Sequence, residues 1–395
     1  DVAAVDRLLA DRSLGRDPGA VVLDATTGQV LLDHGGATPR TPASVAKLAT
    51  AAAALVALGP DARLTTRVVT GAGPGEVVLV GGGDTTLRRT PARPDDYPQA
   101  ADLTHLAAQA AASLRARGLT RVTVRVDDRL FTGPAVSPDW QPSYVRSGVV
   151  APVSALAVDA GRVSDRSRQR SPDPALAAGQ DFAAQLAAQG ITVSPGVTHA
   201  AAPPSGVELA AVRSPSVAAL VEHTLATSDN DMAESLARLV AHARGRPATF
   251  RDGAAAVSDV LGQLGVPTDG MRLLGGSGLA RGSRIAPTTL AHLLALACSP
   301  RHPELRPIVT GLPVAGFTGT LDDRFETRTT GAGAGVVRAK TGTLTGVSSL
   351  AGVTPDSGGR LLAFAILADD VPATLRARDR LDRIATTLAG VPAKS

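Results

Sequence analysis

The sequence predicts a mixed α/β (α+β) fold, in which both ends of the chain build one five-stranded antiparallel sheet flanked by helices, with a large inserted region between them. Three observations predict it. Two short apolar runs around a turn near the N-terminus read as a β-hairpin, and three strand-like runs follow one another near the C-terminus. The segment TPASVAKLATAAAALVALG is apolar on nearly all sides, as a helix at the centre of a domain must be. Residues 67–212 differ in texture, with strand runs, proline-rich loops and one long helix.

From the N-terminus, DVAAVDRLLADRSLG has helical periodicity, and GAVVLDATTGQVLLDHG forms the hairpin about Thr-Thr-Gly-Gln. In the apolar helix, Pro42 suits the first turn and Gly59 the end. RVVTG, GEVVLVGG and RVTVRVDD read as strands of the insertion, and its helix lies near 174–190. From about 213 to 310 the chain is mostly helical, through SPSVAALVEHTLATS, DMAESLARLVAHARG, TFRDGAAAVSDVLGQLG and APTTLAHLLALAC. GVVRAKTG, TGVSSLAGVTP and GRLLAFAILADD supply the last three strands, and PATLRARDRLDRIATTLAG an amphipathic helix after them. The N- and C-terminal helices are expected on one face of the sheet. The main domain is expected to comprise residues 1–66 and 213–395, with 67–212 inserted.

A chain of 395 residues can hold two domains, or one with such an insertion. With 44% hydrophobic and 19% charged residues it is globular rather than disordered. The net charge of +4 is modest, and no basic run interleaves with aromatics, which argues against a nucleic-acid partner. That charge fits attraction to anionic surfaces such as cell-wall polymers, or simply an arginine-biased composition. Cys298 is the only cysteine, so neither a disulfide framework nor a thiolate metal cluster is expected. The seven histidines lack ligand spacing, and no metal or cofactor is assigned. No stretch approaches the ~18–20 apolar residues that span a bilayer. Starting at Asp1 without Met or an apolar leader, the chain reads as a mature or trimmed form.

Scarcity marks the chemistry. Of 40 basic residues only Lys47, Lys340 and Lys394 are lysines, and Asn230 is the only asparagine. Lys47 follows Ser44 by three positions in SVAK, which puts both side chains on one helical face. A lysine desolvated in an apolar helix is partly a free amine, hence a general base beside a nucleophile. Arginine stays protonated and cannot serve. The plainer alternative is a helix lysine that snorkels to solvent.

Lys340 opens Lys340-Thr341-Gly342 on a strand, where a compact charge and the hydroxyls of Thr341 and Thr343 suit an anionic carboxylate. The backbone N–H groups of Ser44 and Thr343 could together form an oxyanion hole. The alternative is an edge-strand lysine before a turn. Ser228-Asp229-Asn230 lies between two helical runs. Ser228 offers a hydroxyl to relay a proton, and Asn230 an amide to hold both a substrate amide and a lysine. A helix N-cap explains the same residues. A chance match to all three motifs in this order is of order one in several thousand.

With these motifs the chain resembles the penicillin-recognising serine transpeptidases and β-lactamases, and within them the D-alanyl-D-alanine carboxypeptidase/endopeptidase family, peptidase family S13 (the penicillin-binding-protein-4-like enzymes). The similarity runs over nearly the whole chain through LVGGGDTTL (79–87), PVSALAVDAG (152–161), TSDNDMAESL (227–236), GGSGLARGSRI (275–285) and LPVAGFTGTL (312–321). The resemblance implies that Ser44 attacks the penultimate D-Ala carbonyl of a peptidoglycan stem peptide, with Lys47 as base. It implies that Ser228 and Lys340 pass a proton to the departing D-Ala, and that Asn230 positions Lys47 and the substrate amide. Thr341, Gly342 and Thr343 would bind the terminal carboxylate, and β-lactam antibiotics would acylate Ser44. It places the enzyme outside the cytoplasm, its secretion signal removed. Trp140 and Tyr144, in SPDWQPSYVRSG, either line a pocket for the peptide side chain, as aromatics there do in that family, or pack within the insertion.

A β-lactamase or esterase of the same superfamily is the alternative enzyme. Class A β-lactamases deacylate with a Glu-x-x-x-Asn loop, for which this chain has no asparagine left. Class C enzymes and related esterases generally carry Tyr where Ser228 stands. A non-catalytic cell-wall-binding protein on the same fold would not require both Ser44 and Lys47.

Overall fold

The computed structural model describes residues 2–164 and 167–390. Lys394 lies outside them. The chain forms two compact units, Asp1–Pro60 with Val221–Asp229 and Gly253–Ser395, and Asp61–Leu220 with Asn230–Asp252.

The first unit holds the expected sheet. Its strands are β1 (Gly19–Asp24), β2 (Val30–His34), β3 (Arg338–Leu344), β4 (Val347–Pro355) and β5 (Leu361–Ala368), in the spatial order β2-β1-β5-β4-β3, every pair antiparallel. Strands β1, β4 and β5 are buried almost throughout, which requires cover on both faces. On one face lie α1 (Val2–Leu9) and the C-terminal helix Thr374–Leu388. Val5, Leu9, Leu381 and Ile384 pack there against Val22, Leu350, Phe364 and Ile366. On the other lies the helix Pro287–Cys298, with α2 (Lys47–Leu58) behind it. Residues Lys47 to Leu55 of α2 are all buried, as expected of a helix without a polar face. The helix starts later than its sequence suggests. Residues Ala43–Ala46 form a 3₁₀ turn, because Ala43 adopts φ +49°, outside the helical region.

The second unit is built on a mixed sheet, with strands Thr192–Val193, Arg121–Asp127, Glu76–Val80, Arg63–Thr70 and Glu208–Ser216 in that order and Thr198–His199 paired beside Arg121–Asp127. Leu106, Ala110 and Leu114 of one covering helix and Phe182 and Leu186 of another close its core. The bounds of this unit differ from the 67–212 read in the sequence: residues 61–66, 213–220 and 230–252 also fall within it. Helix Asn230–Ala243 groups with this unit because buried Arg238 donates to the carbonyls of Thr132, Pro134 and Ala248. The start of SPSVAALVEHTLATS is strand, with the helix beginning at Val217. Pro215 is tolerated because Glu208–Ser216 is an edge strand that needs no further donor.

Candidate active site

Ser44 is half-buried on the turn preceding α2, and Lys47, one 3₁₀ turn on, is 0% exposed. Lys47 Nζ lies 3.1 Å from Ser44 Oγ and donates to the Ser277 carbonyl at 2.8 Å. The second contact anchors the amine and leaves the first for the hydroxyl. Ala43, just before Ser44, is a non-glycine residue in the left-handed region, the kind of local strain that gathers at functional sites.

Two glycines set how closely the neighbouring segments approach this turn. Gly278 has φ +81°, and a Cβ there would sit 1.9 Å from the Ala43 carbonyl oxygen. Only glycine lets the 276–278 segment pass beneath the turn, where Gly276 and Ser277 offer carbonyls to Thr50 and Lys47. Gly342 has ordinary backbone angles, but its Cβ would meet the Pro42 carbonyl oxygen at 2.6 Å. The third residue of the Lys-Thr-Gly motif is thus small because β3 runs against the turn that bears Ser44.

Strand β3 is the sheet edge, with Lys340 opposite Ala351 and Gly342 opposite Ser349. The Ala339 N–H points away from β4, to the Pro313 carbonyl at 3.0 Å. Strand alternation then turns the N–H groups of Thr341 and Thr343 to that same edge. Thr343 is exposed there, and Thr341 Oγ1 is held by Thr320 Oγ1 at 2.9 Å.

The Lys340 side chain is fully buried, with Nζ 3.0 Å from the Thr341 carbonyl. Burial, followed by the charges of Lys47 and Arg324, holds its ammonium well below the ordinary lysine range. Between that depressed value and the usual ~10.4, the unfolded chain binds a proton that the folded chain does not. Stability therefore rises with pH across this window and is lost as pH falls through it. Lys340→Met should flatten that rise and lift Tm at neutral pH by at least about 2 °C, measured by calorimetry. An unchanged pH slope would mean that burial does not penalise this lysine.

Ser228 follows the last residue of helix Val217–Thr227, half-buried at φ +58°. It belongs with Ser44, Lys47 and Lys340 in the first unit. Asn230 opens the next helix, counted with the second unit, and its Nδ2 donates to the Val149 carbonyl at 2.9 Å. That bond fixes the amide's orientation. The adjacent Asp231 accepts the Ala151 N–H at 2.7 Å and pairs with Arg170 at 3.0 Å, so the Val149–Ala151 segment is clamped from two successive side chains. Trp140 is 6% exposed, edge-on to Phe250 at 5.2 Å, while Tyr144 is half-buried in a short helix, Ser143–Arg146.

The Ser44 hydroxyl, the buried Lys47 amine, a second lysine and a hydroxyl-bearing strand edge thus lie within one unit, a set that suits serine acyl transfer. A sequence profile of the D-Ala-D-Ala carboxypeptidase 3 (S13) family matches residues 2–172 and 166–388. The chain belongs to this peptidase family. It is 40% identical over 392 residues to the carboxypeptidase DacB of Mycolicibacterium smegmatis, covering 98% of this chain and 83% of that one. It is 30% identical to the D-alanyl-D-alanine carboxypeptidase of an Actinomadura species, covering 95% of this chain and 82% of that one. The fold is similar to that of penicillin binding protein 4 from Haemophilus influenzae, with TM-score 0.80, 23% identity and 98% of each chain covered. Like its relatives, this S13 member is a serine-type D-Ala-D-Ala carboxypeptidase, a hydrolase.

Motif reasoning missed three contributors to this S13 site. The Ser277 carbonyl holds Lys47, Gly278 permits that approach, and Thr320 orients Thr341. Gly-Gly-Ser-Gly at 275–278 and Gly-Thr at 319–320 stood inside the segments that carry the family resemblance.

Proposed function

We propose that the carboxypeptidase works through an acyl-enzyme on Ser44. The 3.1 Å approach of a wholly buried Lys47 amine to the Ser44 hydroxyl carries this reading. Lys47 removes the hydroxyl proton as Ser44 Oγ bonds to the carbonyl carbon of the penultimate D-Ala. The oxyanion is stabilised by the N–H groups of Ser44 and Thr343, the latter directed at the open edge of β3. The C–N bond then breaks, and the terminal D-Ala leaves with a proton relayed through Ser228 and Lys340. Thr341 and Thr343 hold its carboxylate, and Asn230 orients Lys47 and the substrate amide. Water hydrolyses the ester and returns the proton.

The same steps act on a D,D cross-link between stem peptides, where the leaving amine belongs to a second chain. Such endopeptidase activity is the second reaction proposed. A β-lactam ring presents an equivalent amide and acylates the same hydroxyl. Because peptidoglycan is outside the cytoplasm, so is the working enzyme. Among the described residues no helix is long and apolar enough to cross a membrane.

The test is incubation with a peptide ending in D-Ala-D-Ala, with and without prior exposure to penicillin. Release of one D-Ala per peptide, blocked by the drug, is expected. Unblocked release, with rapid turnover of penicillin to its hydrolysed form, would replace this reading by a β-lactamase.

A further inference from the structure

A cavity of about 570 Å³ lies between the N-terminal turn Arg12–Leu14 and the C-terminal helix Thr374–Leu388. Arg12 lines one wall, and Arg376, Arg380 and Arg383 the other, with Asp11 and Asp379 among them. Arg380 pairs with Asp11. Arg12, Arg376 and Arg383 are exposed, and among the described residues none of them forms an ion pair. Asp379 is exposed as well, so the lining keeps an excess of positive charge, four guanidinium groups against two carboxylates.

The arrangement is repetitive. Residues 376, 380 and 383 fall at i, i+4 and i+7, one stripe of the helix, spread over about 10 Å of its length. The positive end of the helix dipole lies at the same end of the cavity, where Pro372 and Ala373 line it. A planar guanidinium matches the oxygens of a phosphate in a two-pronged fork. A space of this size exceeds one phosphate, and a row of guanidinium groups fits a row of anions.

We propose that this groove binds a linear polyanion of phosphodiester-linked units. Its helix packs on the face of the sheet that buries Ala339, while strand alternation turns Lys340 to the opposite face. A polymer in the groove therefore leaves the catalytic side uncovered. The groove would tether the enzyme to a phosphate-rich matrix while catalysis continues.

The experiment titrates a labelled poly(glycerol phosphate) of about ten units into the full chain at two salt concentrations. Controls are polyglutamate of equal charge, inorganic phosphate, and vesicles containing phosphatidylglycerol. The polymer should bind at least tenfold more tightly than polyglutamate or free phosphate, with affinity falling as salt rises. The triple variant Arg12→Gln, Arg376→Gln, Arg383→Gln should weaken binding at least tenfold. Asp379→Asn should tighten it. D-Ala release, which also reports folding, should be unchanged in both. Equal affinity of the triple variant would overturn the proposal. So would equal binding of polyglutamate, which marks an unselective cationic surface, or of free phosphate, which marks a single-anion pocket. Binding to vesicles alone would assign the groove to a lipid headgroup instead.

Discussion

Lys47→Arg is expected to abolish acylation by penicillin, cutting its second-order rate at least about 10³-fold, while leaving the protein folded. Arginine keeps the charge and much of the reach, so a role limited to attracting an anion would survive. A base must lose its proton, and a guanidinium cannot do so in the working pH range. The loss should approach that of removing the nucleophile, since residues that act as one unit lose nearly the whole of catalysis one at a time. Stopped-flow acylation with a chromogenic β-lactam checks it, with unfolding curves showing that the variant is intact. Retention of even a tenth of the rate would remove Lys47 from the role of base.

The second large effect concerns a glycine rather than a functional group. Gly278→Ala should destabilise the protein by about 2–4 kcal/mol, through a left-handed backbone that resists a side chain and a clash with backbone. The new methyl would lie 1.9 Å from the Ala43 oxygen, so either the 276–278 segment or the turn before Ser44 must move. Displacement of about 1 Å at Ser44 should slow acylation about 10²-fold. Gly28→Ala is the internal control. Gly28 also has positive φ, +75°, but nothing lies within 4 Å of the position its methyl would take. That variant should lose only about 1 kcal/mol and acylate at the wild-type rate. Equal behaviour of the two variants in urea unfolding and acylation would show that the close approach at Gly278 has no bearing on the site.

Much of this was legible in the amino-acid order. The terminal runs were apolar at the period of strands, and they form the sheet with the expected partners. The helix behind Ser44 has no polar face and is buried. Lysines survive at 47 and 340 in an arginine-biased chain, and both end in the buried part of one unit.

The rest depends on backbone geometry and distant packing. Ser277 serves Lys47 through its carbonyl, which any residue would supply, so its identity gave no signal. The 3₁₀ start of the helix behind Ser44 follows from the angles at Ala43, which an alanine does not advertise. Helix Asn230–Ala243 joins the second unit through buried Arg238, between the rings of Phe131 and Phe250. Those contacts link positions about a hundred residues apart, beyond the reach of local periodicity.

The central claim is that the Ser44 hydroxyl, with Lys47 as its base, is the atom that becomes acylated. Labelling with a fluorescent penicillin, followed by intact mass and peptide mapping of wild type and Ser44→Ala, addresses it most directly. The account predicts one adduct per wild-type chain, on the peptide containing Ser44, and none on the variant. An adduct mapped to another residue, or equal labelling of Ser44→Ala, would contradict it.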